Sequence, residues 1–250
     1  MVFAATAPLA AAWLIPTVAN GLASWRLREC CQDDSIYIVS KRKELVTKVD
    51  EIAKKLGIDK KLEVSFITGL TVCAQAMGNT IFPGKAGLAI DPNLLDKLPS
   101  GDLKFLVAHE LSHIKHNDTL TIPLLTGLVQ LISTVALSIL FPYATAISAI
   151  SYTAFAVGLI TFSLFSRYRE ECADKKAYSI CSQEGKKGAI NFLTNLKNGN
   201  IQYRNEENIN VFSSLWRKIK VNEQGDVRWD VLHPSFQTRI DYLRAMPSQL

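Results

Sequence analysis

Apolar and polar positions along this chain recur with two periods, one helical and one of the β type. Over residues 41–57, Leu45, Val46, Val49, Ile52, Ala53 and Leu56 recur at the spacing of one helix face, and Gly57 stops the run. Short β-like runs follow at 62–70, 72–76 and 87–91, with Gly69, Gly78 and Pro83-Gly84 as turns between them. A short helix is predicted at 92–98 and a longer one at 102–115, with Ser100 or Asp102 as its N-cap. Beyond a long apolar stretch the pattern predicts helices through about residue 182, from 186 to 198 and from 234 to 246. Asn198-Gly199-Asn200 is read as the end of the second, and Phe236, Ile240 and Leu243 share one face of the third. Residues 201–230 are polar and show no readable period.

Two strongly apolar stretches of more than twenty residues lack charge altogether. Residues 2–25 are long enough to span a bilayer core of about 30 Å, and Pro8 and Pro16 are tolerable there. No basic residue precedes the run, which argues against a signal peptide. Arg26, Arg28, Lys41, Arg42 and Lys43 follow it, so the positive-inside rule puts the rest of the chain on the cytoplasmic side. The second stretch, 119–166, would be roughly 70 Å long as one helix, which fits two crossings rather than one. A transmembrane hairpin is expected, from about 120 to 141 and from 144 to 165, turning at Phe141-Pro142-Tyr143. Lys115 and Arg167 flank it on the same side as Arg26.

Composition adds little to this picture. The net charge of +5 is spread among acids, which gives no nucleic-acid footprint. The five cysteines, at 30, 31, 73, 172 and 181, match no zinc knuckle or disulfide framework and are read as inert thiols.

The chemistry is concentrated at His109-Glu110-Leu111-Ser112-His113. Four residues advance a helix by about 400°, so both imidazoles share one face a turn apart and can bind one zinc ion. Glu110 is placed to take a proton from a metal-bound water. Phe105, Leu106, Val107 and Ala108 make the start of this helix apolar, so the polar trio needs partners. A third ligand is wanted, and the acids of Glu170-Glu171-Cys172-Ala173-Asp174 are the candidates. Glu170 and Asp174 share a face at i, i+4, where one could bind metal and the other orient a histidine. Glu171 and Asp174 lie on neighbouring faces too, so spacing alone does not choose between the glutamates.

Several stretches, in order, resemble the HtpX and CAAX prenyl-protease superfamily of membrane zinc metallopeptidases. They are Leu103 to Asp118 around the histidine motif, the apolar hairpin after it, Ser166-Arg167 with Glu170 and Ala173-Asp174, and His233-Pro234-Ser235 with Arg239-Ile240. The resemblance covers about residues 40–245 and lies nearest the HtpX-like branch. It implies an α+β, mainly helical fold, with a thermolysin-like zincin core, a small sheet, an N-terminal membrane span and the transmembrane hairpin. The expected organisation is a membrane segment at 1–25 and a metallopeptidase domain at 36–250, interrupted at 119–166. It further implies one zinc ion per chain on His109, His113 and Glu170, with Asp174 and Asp118 behind the ligands. Glu110 is then catalytic, and His233 is an oxyanion donor. Asn79, with the segment running to Asp91, would form the edge strand that aligns the substrate, and Arg239 would help to orient that site. The implied partners are an unfolded or membrane protein substrate and the lipid bilayer. The sequence departs from HtpX-type proteins in showing one apolar span, not two, before the catalytic part. The rival readings are a non-catalytic zinc protein of the membrane and a soluble exported peptidase.

Overall fold

The computed structural model describes residues 36–67, 74–78, 80–81, 86–140, 147–206 and 211–247. The expected N-terminal span, the turn at Phe141-Pro142-Tyr143 and Asn79 lie outside the described residues. Helix α1 (Ile36–Leu56) leads into β1 (Leu62–Phe66), β2 (Ala74–Met77) and β3 (Ala86–Ile90). Then come α2 (Asn93–Lys97), α3 (Ser100–His116), α4 (Asp118–Leu140), α5 (Ile147–Ile180), α6 (Gln183–Asn205), α7 (Val211–Lys220) and α8 (Phe236–Arg244). The fold is mainly helical, with one three-stranded sheet.

The strand order is β1-β3-β2, with β1 parallel and β2 antiparallel to β3. This corrects one expectation. The 87–91 run is no edge strand: β3 is central, every residue of it is buried, and Leu88 pairs with Val64 on one side and Ala76 on the other. Its short uncharged sequence, Ala-Gly-Leu-Ala-Ile, suits a strand buried on both faces. The edge strand beside α3 is β2, whose Ala76 reaches the motif helix directly.

Helix α3 is the hub. Val107, Ala108, Leu111, Ser112 and Ile114 are fully buried, and the helix packs against α1, β2, β3, α5 and α6. It begins at Ser100, with Pro99 at the cap position and no side-chain cap, so neither Ser100 nor Asp102 caps it. Glycine fixes its crossing with α6: a Cβ on Gly188 would lie 2.2 Å from the Gly101 carbonyl carbon. Backbone thus meets backbone, and any larger residue would push the motif helix out of place. Asn117 ends α3 in the left-handed region (φ 56°), and Thr80 donates to its side chain from both N–H (2.6 Å) and hydroxyl (2.9 Å). One residue therefore separates α3 from α4.

The apolar stretch forms two helices, α4 and α5, that pack along each other. Counted over the described residues, no helix is long and apolar enough to cross a membrane, so the expected pair of crossings is not met by them. The flanks are nevertheless apolar and exposed, at Leu128, Leu131, Ile132, Val135, Ile139 and Ile160 among others. Buried polar Thr126 and Gln130 face inward instead, and Gln130 lies beside Gly158 of α5. Helix α5 does not stop where the apolar stretch ends. It runs unbroken from Ile147 to Ile180, 34 residues in all, carrying Glu170 and Asp174 on the same rod as the apolar arm.

The expected break at Asn198-Gly199-Asn200 also fails, because α6 runs on to Asn205. Asn200 donates its side chain to the Gly225 carbonyl (2.8 Å), and tertiary packing of this kind outweighs the local preference of Asn and Gly. The unreadable 201–230 region holds α7 and a small turn, closed by a bridge between Val221 and Val227.

Candidate metal centre

The motif helix presents His109 and His113 as expected, with ring centroids 4.8 Å apart and planes near perpendicular. Their Nε2 atoms lie 3.2 Å apart. Helix α5 delivers Glu170 between them, with Oε2 at 3.4 Å from His109 Nε2 and Oε1 at 3.3 Å from His113 Nε2. These three residues form the one group among the described residues that could hold a metal ion. Glu171, the rival by spacing, points elsewhere and pairs with Lys175. His116 turns away as well, its Nδ1 on the Ser112 carbonyl.

Each histidine is held from behind by an acid, and each acid by a base. His109 Nδ1 lies 2.8 Å from Asp174 Oδ1, off the line of a straight hydrogen bond. Arg239 grips Asp174 with two bonds of 2.7 Å, and the Tyr242 hydroxyl donates to the same carboxylate. His113 Nδ1 donates to Asp118 Oδ2 (2.8 Å), and Arg169 Nε donates to Asp118 Oδ1 (2.7 Å). Arg239 is buried, so the structure puts it behind His109, where it reaches the site through Asp174.

This arrangement fits a cation on chemical grounds. An Nδ1–H turned to a carboxylate leaves each Nε2 as a lone-pair acceptor. Two such lone pairs then face each other at 3.2 Å, with Glu170 carboxylate oxygens beside them. Glu170 Oε2 is buried with no hydrogen-bond donor. Acceptors converging without a donor repel one another unless a positive charge lies among them. The separations of 3.2–3.4 Å match the edge of a tetrahedron whose ligands stand about 2.0–2.1 Å from a zinc ion.

The charge balance agrees. Burial opposes protonation of His109, but Asp174 and Glu170 outweigh it and raise its pKa to about 10. For His113, burial is likewise outweighed by Asp118 and Glu170, giving about 9. Glu170 faces a burial penalty too, yet the two histidines hold its pKa well below the usual carboxylate range. The pocket therefore favours positive charge at its centre, carried by protons on the two rings or by a cation that displaces them.

Glu110 lies next to the ligands without joining them. Its Oε2 accepts the Ala76 N–H of β2 at 2.7 Å, and burial raises its pKa. His233 also reaches the site, with Nε2 at 3.8 Å from Glu170 Oε1. Its other nitrogen lies 2.9 Å from both oxygens of Asp230, and that hydrogen bond, opposed by burial, raises its pKa. A cleft of about 900 Å³ opens over the centre, bounded by Glu110, Leu164, Phe192, Asp230 and His233. The sequence reading missed Arg169, Tyr242, Asp230 and the Ala76 N–H. Spacing could not have found them, since each meets its partner across 34 to 68 residues or across a loop.

Two histidines and a glutamate on crossing helices, with a second glutamate held beside them, match the pattern of helix-borne metal centres in metallopeptidases. The sequence profile of peptidase family M48 matches residues 40–247, and the chain belongs to that family. Its relatives include proteins named protease HtpX homolog. One from Acidiphilium cryptum is 32% identical over 151 residues, covering 56% of this chain and 51% of the relative. One from Fusobacterium nucleatum is 28% identical over 224 residues, covering 82% and 70%. One from Bacillus subtilis is 25% identical over 216 residues, covering 81% and 69%. The chain thus spans about half the length of the first of these and somewhat over two thirds of the other two. No solved structure matches the chain significantly.

Proposed function

We propose that the chain is a zinc-dependent endopeptidase working at a membrane, with His109, His113 and Glu170 as metal ligands and Glu110 as the general base. The carrying observation is the convergence of two imidazole nitrogens and one carboxylate at tetrahedral spacing, beside a glutamate that is not part of the set. Bound zinc would supply Lewis acidity to the scissile carbonyl and bring the attacking water towards neutral pKa. Glu110 takes the proton from that water as the new C–O bond forms, and returns it to the amide nitrogen as the C–N bond breaks. Ala76 keeps the Glu110 carboxylate aimed by holding one oxygen and leaving the other free. His233, steadied by Asp230, donates to the developing oxyanion. Asp174 and Asp118 fix the tautomers of the two ligating rings. An extended substrate aligned along β2 would cross the cleft, in the manner of strand addition.

The membrane part of the proposal is supported by the exposed apolar residues along α4 and α5, the kind of surface that marks a membrane or protein contact. The basic residues after the N-terminal segment support a cleft on the cytoplasmic side. The test compares wild type with Glu110→Gln, purified in detergent with zinc, against an unfolded protein substrate. Wild type is expected to cleave, and the variant to bind zinc equally and lose activity by at least two orders of magnitude. Equal cleavage by both, or zinc loss in the variant, would sink the assignment of Glu110.

A further inference from the structure

Helix α7 breaks the rule that the other helices obey. Phe212, Leu215, Trp216 and Ile219 recur at i, i+3, i+4 and i+7, which makes a single apolar stripe. In a helix of a globular protein that stripe faces the core. Here all four residues are exposed, Phe212 at 85%. The helix holds onto the fold by its opposite side, where Arg217 lies over the Tyr203 ring and pairs with Glu206 at the end of α6. At about 100° per residue, Lys218 and Lys220 fall on the two borders of the stripe. The helix carries no acid.

The stripe does not end with the helix. Trp216 stacks near Trp229, centroids 5.8 Å apart, and Trp229 is itself 56% exposed. Val231 comes next, also exposed, and its carbonyl accepts from Ser163 Oγ (2.6 Å) and Arg167 Nε (3.2 Å) of α5. That anchors the strip where the apolar arm of α5 meets its charged part. Exposed Leu164 and Ile160 lie there. One apolar surface therefore runs from α7 through Trp229 and Val231 to the flank of α5, and it borders the cleft at Leu164 and Asp230.

We propose that α7, with Trp229, is an interfacial anchor that lies in the headgroup layer of a bilayer rich in anionic lipid. An apolar stripe bordered by lysines suits that layer: the apolar side chains enter the acyl boundary, the Lys218 ammonium reaches lipid phosphates, and Lys220 swings out from the Tyr203 ring, 5.9 Å away, to join it. Two tryptophans at one level match the aromatic preference for the membrane interface. No acid on the helix opposes an anionic surface. The anchor would hold the cleft mouth at the lipid surface, and so present chain segments emerging from the membrane. This deepens the membrane reading of the proposed function and rests on it, but not on peptidase activity.

The test uses the full chain reconstituted in vesicles of zwitterionic lipid, with or without a phosphatidylglycerol fraction, and with acyl chains brominated or not. The signal of Trp216 and Trp229 is taken as the difference between wild type and the W216F/W229F variant, which removes the other two tryptophans from the comparison. Brominated anionic lipid is expected to quench most of that difference signal, and aqueous iodide little of it. The K218E/K220E variant is expected to lose most of the bromine quenching while still floating with the vesicles. Quenching by iodide and not by bromine would overturn the proposal by showing a bare face. Quenching by neither would overturn it by showing a protein cover, such as a second copy. Failure of wild type to float with the vesicles would overturn both the anchor and the membrane reading of α4 and α5. Zinc-dependent cleavage would be untouched by any of these results.

Discussion

The two histidines of the candidate metal centre are each supported by an acid and a base, yet the supports are built in opposite directions. Behind His109, helix α5 contributes the acid, Asp174, and α8 the base, Arg239. Behind His113, α4 contributes the acid, Asp118, and α5 the base, Arg169. Asp174 collects two bonds from Arg239 and one from Tyr242, whereas Asp118 collects one bond from Arg169, whose Nη2 is left without a partner. The His109 support ties residues 65 apart and seats the C-terminal helix, while Asp118 stands only five residues from His113. Both supports bridge distant helices, Asp118 and Arg169 across 51 residues, but only the His109 support also draws its acid from a helix far along the chain and seats the C-terminal one.

Matched substitutions can break that contrast. The largest effect is expected for Asp174→Asn, which leaves the Arg239 guanidinium buried and unpaired. A loss of about 3–5 kcal/mol in stability is expected, read in denaturant melts, together with weakened zinc binding. Asp118→Asn is expected to weaken zinc binding roughly 10–100-fold, by competition with a chromophoric chelator, with a much smaller change in the melt. Equal destabilisation by the two would erase the distinction. Tyr242→Phe should have the smallest effect, about 1 kcal/mol.

Tyr242 also offers a pH signature of the His109 support. Burial, with Asp174 beside it, raises the hydroxyl pKa above the ordinary value of 10.0. A raised folded pKa means a contribution that is whole below the unfolded pKa and lost as pH rises through the folded one. Stability should therefore fall as pH climbs above about 10, and the fall should be shallower in Tyr242→Phe. Tyrosinate absorbance in a pH titration would check it. A Tyr242 that ionises along with the exposed tyrosines would contradict the buried contact.

Much of the site was legible because helix periodicity is local. His109 and His113 share a face by spacing alone, with Glu110 beside them, and Glu170 and Asp174 share a face two helices later. The resemblance favours Glu170 over Glu171, and in the fold Glu170 lies with the two histidines while Glu171 pairs with Lys175. What escaped depends on distant partners. The 87–91 run reads as a strand, but its place in the middle of the sheet depends on which strands flank it. Asn198-Gly199-Asn200 looks like a helix end until Asn200 finds the Gly225 carbonyl. The α7 stripe was passed over because 201–230 as a whole is polar, and its period shows only over ten residues.

The continuity of α5 has a consequence for sequence length. Glu170 and the apolar arm belong to one unbroken helix, so every residue inserted or deleted between about 160 and 170 acts as a clock hand. A single deletion there would turn Glu170 by about 100° relative to the arm, away from both histidines, with every residue of the motif still present. Removing three or four residues nearly restores the angle but shortens the rod by roughly 5 Å. Spelling the right residues is therefore not sufficient for a metal centre on this scaffold: the count between them has to be right as well.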